Sequence, residues 1–263
     1  MPDPSLKSIP LPPHRGVLAV DAVAFTRLPA SRHAPTNVLI HHVMGRALSA
    51  SGLGELWQTR RFPADTGDGV AFGFDPRLLP FVLWPFLDTL EEVLALHNVT
   101  SSGPPIRLRA AVHIGPLPDS GLPGDGNGTA RNDTHRLLDS EPLRQALACT
   151  SADSTNLAAI ISQRVYEDVV LGGYTGLSRH RCVKVDATVA NKGFSQPAWL
   201  YVPRLSGSLL QTGLTPSAAP RTEFRDPKNP PPRPAQSIQH VGSGVAFVGE
   251  VSGDFRYTGE PRR

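Results

Sequence analysis

Residues Gly16–Arg27 read Gly-Val-Leu-Ala-Val-Asp-Ala-Val-Ala-Phe-Thr-Arg, and this stretch decides the fold. Gly16 to Val20 is a nearly unbroken apolar run, the pattern of a strand buried on both faces. The run stops at Asp21, so a carboxylate stands at the end of a central strand, just before a turn. A strand buried on both faces needs neighbours on either edge and layers above and below it.

The chain on the C-terminal side supplies both. Over Pro35–Leu53, Leu39, Val43 and Ala47 with Ile40, Met44 and Leu48 recur at helical spacing, while Asn37, His41, His42 and Arg46 fall on the other face. Arg61–Phe74 holds two short runs around Thr66-Gly-Asp-Gly69, which predicts a β-hairpin with Asp68 near its tip. A second helix is expected over Arg77–His97, with Pro80 and Pro85 imposing a late start or a kink. Ile106–Ile114 reads as the next central strand, Ala130–Leu147 as a helix after a Gly-rich loop, and Ser154–Ser162 as further helix. Strands are expected near Val165–Val170 and His180–Ala190, with Trp199–Val202 closing the sheet. The order is βαββαβ followed by a further α/β segment, an α/β (α+β) layered fold with a ferredoxin-like core.

Residues 1–14 are Pro-rich and polar and read as an unpacked lead-in, so the folded domain is expected over 15–203. Residues 204–236 are rich in Ser, Thr, Pro, Asn and Arg and end on Asn229-Pro-Pro-Pro-Arg-Pro234. Such a segment buries too little apolar surface to offset its ordering entropy and reads as a disordered linker. Residues 237–263 are a short Gly-rich, β-prone tail in which Val245, Phe247 and Val251 alternate with turn-forming glycines.

The 263 residues suffice for one full-sized domain with accessories. The formal charge of +3 comes from an Arg-heavy composition whose only lysines are Lys7, Lys184, Lys192 and Lys228, a bias that does not call for a nucleic-acid partner. Cys149 and Cys182 are the only cysteines, and no charged segment followed by an apolar one opens the chain, so neither a disulfide framework nor secretion is indicated. No apolar run approaches the about 20 residues needed to cross a bilayer, and the expectation is a soluble cytoplasmic protein without a membrane partner.

Five local patterns bear on chemistry, and each has an ordinary structural use. Asp21 with Phe25-Thr26 places a carboxylate before a tight turn, although an Asp at a strand end also serves as a helix cap. Gly67-Asp68-Gly69 is good turn chemistry in its own right. Arg107-Leu-Arg-Ala-Ala-Val-His-Ile-Gly115 reads as a core strand with His113 a packed histidine. In Asp125-Gly-Asn-Gly-Thr-Ala-Arg-Asn132-Asp-Thr-His-Arg136, Asn132 and Arg136 are four apart and share one helical face, as a solvated pair also would. Lys192 stands in Asn191-Lys-Gly-Phe-Ser-Gln-Pro-Ala-Trp-Leu-Tyr201, an expected hairpin.

In this order and spacing the five patterns resemble the class III nucleotide cyclases, the catalytic domains of adenylyl and guanylyl cyclases. The resemblance covers roughly Arg15 to Pro203. It implies that Asp21, the Ala22 carbonyl and Asp68 hold two divalent cations, Mg²⁺ or Mn²⁺, per site, and that Phe25 and Thr26 donate N–H groups to the phosphates of a nucleoside triphosphate. It implies further that Asn132 orients the ribose, Arg136 neutralises the transition-state phosphate, Lys192 contacts the phosphates and Asp125 reads the base. These two groups of residues meet only across a head-to-tail homodimer in that family. The second base-reading position, four residues before the hairpin Asp, is Ala64 here, which leaves ATP, GTP, UTP and CTP open as substrates. Two readings follow: an active cyclase in signalling or anti-phage defence, or an inactive nucleotide-binding or dimerisation module. The tail resembles short amyloid-type signalling motifs of bacterial immune proteins, which implies tail-mediated self-assembly or recruitment of an effector.

Overall fold

The computed structural model describes residues 8–101, 103, 105–209, 238–241 and 244–247. Strand β1 (His14–Ala22) forms from the opening apolar run and lies near the middle of a seven-stranded mixed sheet. It pairs antiparallel with β3 (Gly69–Phe74) on one edge and with β4 (Leu108–Pro116) on the other, and β2 (Arg61–Asp65) lies outside β3. Helices α1 (Ala30–Ala50) and α2 (Gly54–Thr59) connect β1 to β2, and α3 (Leu87–Thr100) connects β3 to β4. The order β2-β3-β1-β4, antiparallel throughout, is the ferredoxin-like arrangement that the βαββαβ reading expects.

After β4 come helices α4 (Thr129–Leu138) and α5 (Glu141–Ala148), and then β5 (Leu157–Ser162), which pairs parallel to β4. Strands β6 (Cys182–Val189) and β7 (Phe194–Tyr201) finish the sheet in the order β5-β7-β6. Period-two alternation divides β1 between two cores. Leu18, Val20 and Ala22 join Phe72, Val112 and the α1 and α3 residues Ile40, Met44, Leu48, Leu87 and Leu90. On the opposite face Ala71, Ala19 and Ala111 stand in one row across three strands, packed in a core with Leu137, Leu138 and Leu143 of α4 and α5. The small side chains of that row let the helices lie close to the sheet.

Several local expectations are corrected. Ser154–Ser162, expected as helix, contains strand β5, and Val165–Val170, expected as strand, is helical over Gln163–Val165 and Tyr166–Leu171. Leu157-Ala-Ala-Ile-Ile-Ser162 is a short, fully buried apolar run, and such a run carries no period that separates a strand from a buried helix. The single helix over Ala130–Leu147 is two, broken at Asp139-Ser140 before Pro142 at the start of α5. The helix over Arg77–His97 becomes short helical turns, then α3, because Trp84 leaves helical backbone geometry immediately before Pro85.

The chain divides into two compact units, Met1–Ser217 and Ala218–Arg263. Packing in the first continues past Pro203: Ser206 and Leu209 are buried, and the Ser206 hydroxyl accepts from the Ser151 N–H at 3.0 Å. In the second, β8 (Ile238–Val241) and β9 (Gly244–Phe247) pair as an antiparallel hairpin. Residues 210–236 of the segment read as linker, and residues 237, 242–243 and 248–263 of the tail, lie outside the described residues. Among the described residues no helix is long and apolar enough to cross a membrane.

Candidate active site

Asp21 stands two residues beyond Ala19 on the same face of β1, and the sheet register sets it between Gly69 of β3 and Arg109 of β4. That register explains its surroundings. Arg109 meets the carboxylate with two hydrogen bonds, Nε to Oδ1 at 2.9 Å and Nη2 to Oδ2 at 2.5 Å. Gly69 leaves no room for a side chain, since a Cβ there would lie 1.9 Å from the Val20 carbonyl oxygen and 2.8 Å from the Asp21 Cα. The hairpin between β2 and β3 is thereby drawn against the end of β1, where the Ala22 N–H donates to the Asp68 carbonyl at 2.8 Å.

Burial pushes the Asp21 carboxyl up to about 6; the Arg109 charge and hydrogen bonds oppose this, and the charges of Asp68 and Asp139 add to it.

Beyond Asp21 the chain turns sharply. Ala24 takes the left-handed conformation, φ 59°, and Phe25–Arg27 forms a single tight helical turn. The Arg27 and Leu28 amides close this turn on the Ala24 and Phe25 carbonyls, at 2.9 and 3.0 Å. The amides of Phe25 and Thr26 come at its start, where a helical turn has no internal acceptor to offer.

A cleft of about 520 Å³ opens over these elements, lined by Asp21, Ala22, Phe25, Thr26, Asp68, Arg107, Arg109, Asp139 and Arg144 among others. Its size suits a small-molecule ligand. Five of the sequence-selected residues, Asp21, Ala22, Phe25, Thr26 and Asp68, thus come together in one place.

The other four lie elsewhere. Asn132 is exposed on α4, and Arg136, one turn on, is half-exposed, bonded to Asp133 at 3.0 Å with its guanidinium over the Phe194 ring. Lys192 does not line the cleft but is ion-paired at 2.9 Å with Asp139, which does. Burial works against ionisation of Asp139, but Lys192 and Arg144 outweigh it and hold the carboxyl below the usual range. Asp125 bends back on its own loop and accepts from the Ser120 and Gly121 N–H groups, each at 2.6 Å, and from the Ser120 hydroxyl at 3.0 Å. His113 is packed, its Nδ1 buried without a partner, and burial lowers its pKa against the charge of Asp133.

The cleft's positive wall carries no signal of its own in the sequence. Arg107 and Arg109 belong to a strand read as core, yet the alternation Arg107, Arg109, Ala111, His113 assigns both arginines to one face, the face of Asp21. Arg107 is committed to structure, donating to the Thr155 and Leu147 carbonyls at 2.9 and 3.0 Å. Arg144 entered through the break between α4 and α5, which nothing in the sequence reading anticipated.

The donor set fits a divalent cation shared with a phosphate. Two carboxylates on adjacent strand ends, close enough for one charge to raise the other's pKa, lie beside a backbone carbonyl. Among the described residues no group of three or more His, Cys, Asp or Glu side chains is gathered to bind a metal by itself. The remaining coordination sites would fall to ligand and water oxygens.

No protein-family model and no curated protein matches this chain. Solved structures with a similar fold include an adenylate/guanylate cyclase/hydrolase from Silicibacter pomeroyi, 18% identical with a TM-score of 0.49 over 73% of this chain and 97% of that one. The catalytic core of a rhodopsin-guanylyl cyclase with converted specificity, in complex with ATPalphaS, is 13% identical with a TM-score of 0.46 over 73% and 96%. The adenylyl cyclase CyaB from P. aeruginosa is 15% identical with a TM-score of 0.43 over 74% and 94%. At this distance the likeness carries no activity over to this chain.

Proposed function

We propose that this chain is a nucleotide cyclase that converts a nucleoside triphosphate to a 3′,5′-cyclic mononucleotide and pyrophosphate at the interface of a homodimer. The observation that carries this reading is the convergence of Asp21 and Asp68 on neighbouring strand ends, over the Phe25–Thr26 turn, in a cleft with an arginine wall. In the reaction the O3′–Pα bond forms as the bond from Pα to the β-phosphate oxygen breaks. Negative charge collects on the phosphates while the 3′-hydroxyl gives up its proton to water.

Two divalent cations, Mg²⁺ or Mn²⁺, held by Asp21, Asp68 and the Ala22 carbonyl, would neutralise the triphosphate and acidify that hydroxyl. The chain's own part is positioning and charge. The Phe25 and Thr26 amides hold phosphate oxygens, as the start of a helical turn does for any anion. Arg109 orients the Asp21 carboxylate through two hydrogen bonds and partly offsets the cost of ionising it in its buried position.

Asn132 and Arg136 are not among the residues lining the cleft of their own chain, and both are solvent-accessible. This supports a site completed by a second protomer, with Asn132 orienting the ribose, Arg136 meeting charge on the α-phosphate, and Lys192 meeting the leaving phosphates. Asp125 and Ala64 would face the base. The setting we propose is cytoplasmic signalling or anti-phage defence.

A second reading, a nucleotide-binding module without turnover that recruits partners through its tail, is favoured by one feature. The Asp125 carboxylate is occupied by three donors of its own loop. One experiment separates the two: the full chain is incubated with equimolar ATP, GTP, UTP and CTP and Mn²⁺, and the products are read by mass spectrometry. A cyclic mononucleotide lost in Asp21→Ala and Asp68→Ala supports the enzyme. Nucleotide binding without product supports the module, and neither binding nor product overturns both.

A further inference from the structure

Asp68 stands at the tip of a short exposed turn, and its carboxylate is only as well placed as that turn. Within the turn the Thr66 N–H donates to the Gly69 carbonyl at 3.1 Å, and the Gly67 N–H donates to Asp65 Oδ1 at 2.8 Å. The other holds come from α1. The Asn37 side-chain amide donates both to Asp65 Oδ1, at 2.7 Å, and to the Gly67 carbonyl, at 3.1 Å. One helix turn further on, His41 Nε2 lies 3.3 Å from Asp65 Oδ2. His41 is itself backed edge-on by Trp57, with ring centres 5.9 Å apart, and Trp57 rests on Phe72 of the core.

One helix turn before Asn37, the His33 ring stacks on Phe25 with ring centres 4.6 Å apart, and its Nε2 lies 3.1 Å from the Leu28 carbonyl oxygen. His33, Asn37 and His41 are spaced i, i+4, i+8, so they form one stripe along a single face of α1. The sequence places Asn37 and His41 on the face of α1 opposite its apolar residues, and this stripe touches the Phe25–Thr26 turn at one end and the Asp68 turn at the other.

We infer that Asn37 is a positioning residue that fixes the Asp68 hairpin against the end of β1. Through the stripe it belongs to, α1 ties the metal-carboxylate turn to the phosphate turn as one body. The inference rests on the cation role given to Asp68 above.

The test uses the full chain and the variants Asn37→Ala, Asn37→Asp and Asp68→Ala. Each is read by amide hydrogen exchange at Gly67 and Gly69 and by Mn²⁺ titration calorimetry without nucleotide, with circular dichroism as the check on the fold. Loss of two hydrogen bonds in Asn37→Ala corresponds to roughly tenfold faster exchange at Gly67 and about tenfold weaker Mn²⁺ binding. Asn37→Asp, which brings a second carboxylate against Asp65, moves both readings further in the same direction, an order that a packing role alone would not give. Unchanged exchange in Asn37→Ala overturns the inference, and so does faster exchange with unaltered Mn²⁺ affinity. Wild-type Mn²⁺ binding that survives Asp68→Ala removes the cation role of Asp68 and the inference with it, while the exchange data still report separately on whether Asn37 holds the turn.

Discussion

Replacing Gly69 by alanine tests the closeness of β3 to the end of β1, on which the cleft depends. The new Cβ would lie 1.9 Å from the Val20 carbonyl oxygen, against about 3.3 Å for a close carbon–oxygen contact, so the strands must separate by roughly 1.4 Å. All three obstructing atoms, the Val20 carbonyl carbon and oxygen and the Asp21 Cα, are backbone in a central strand, so no rotamer change relieves the clash. Overpacking of this kind costs about 3 kcal/mol, at the upper end of the usual range, which in a domain of this size lowers Tm by roughly 6–12 °C. The separation falls between Asp21 and Asp68, where a displacement of about 1 Å is enough to cost on the order of 100-fold in turnover. Gly67→Ala is the control: its φ of 83° imposes strain, but no atom lies within 4 Å of the added Cβ. That strain is worth about 1–2 kcal/mol, without separating β1 from β3. Calorimetric melting and Mn²⁺ titration of the two variants decide the matter. Gly69→Ala melting with the wild type and binding Mn²⁺ normally would refute the reasoning.

Three further outcomes follow from the same geometry. Arg109→Leu leaves Asp21 as a buried carboxylate without its counter-charge, a loss of about 3–5 kcal/mol when it is ionised. Because the folded-state pKa of Asp21 is about 6, above its ordinary 3.8, its ionisation opposes folding as pH rises through 6 and is absent below about 4. Arg109→Leu raises that pKa further, so urea unfolding should show a larger deficit against wild type at pH 8 than at pH 5, and equal deficits contradict the assignment. Mixing inactive Asp21→Ala with inactive Arg136→Ala should restore part of the cyclic-nucleotide output, since a mixed dimer retains one intact site; mixed dimers that form and stay inactive exclude a shared site. Glu91→Ala removes the buried acceptor of the Asn156 N–H, the Asn156 side-chain amide and the Leu157 N–H. With three donors left unsatisfied at the start of β5, denaturant melts should show a loss of at least about 3 kcal/mol, and a loss under 1 kcal/mol rejects that accounting.

The sheet's N-terminal half was legible in the sequence because its signals are local. The run to Asp21, the helical spacing after Pro35 and the turn at Gly67–Gly69 each specify their element without help from distant residues. The strand β5 was not, since Leu157–Ser162 is buried on both faces and its alanines suit a helix equally well. Within the site, Asp21, Asp68 and the Phe25–Thr26 turn were singled out through the resemblance to the nucleotide cyclases, and the structure gathers them along one cleft. Arg109 was not read as a partner of Asp21, because their pairing depends on strand register, which no single-sequence period fixes between remote segments. Asn37 escaped notice because its partners Asp65 and Gly67 lie beyond the end of its own helix and the whole of α2, a tertiary contact that leaves no local period.

The antiparallel neighbours of β1 bear on how the molecule is made. Val17 pairs with Gly73 on one edge and with His113 on the other, so the strand that bears Asp21 is completed only by chain emerging long after it. At about 5–20 residues per second of synthesis, its second edge waits several seconds for β4. During that interval a strand with a continuous apolar run from Gly16 to Val20 exists with an open edge, a template for pairing with another nascent copy. Overexpression at high temperature should therefore divert this chain into aggregates through β1 itself, and slowing synthesis would do little unless something covers that edge until residue 116 has emerged.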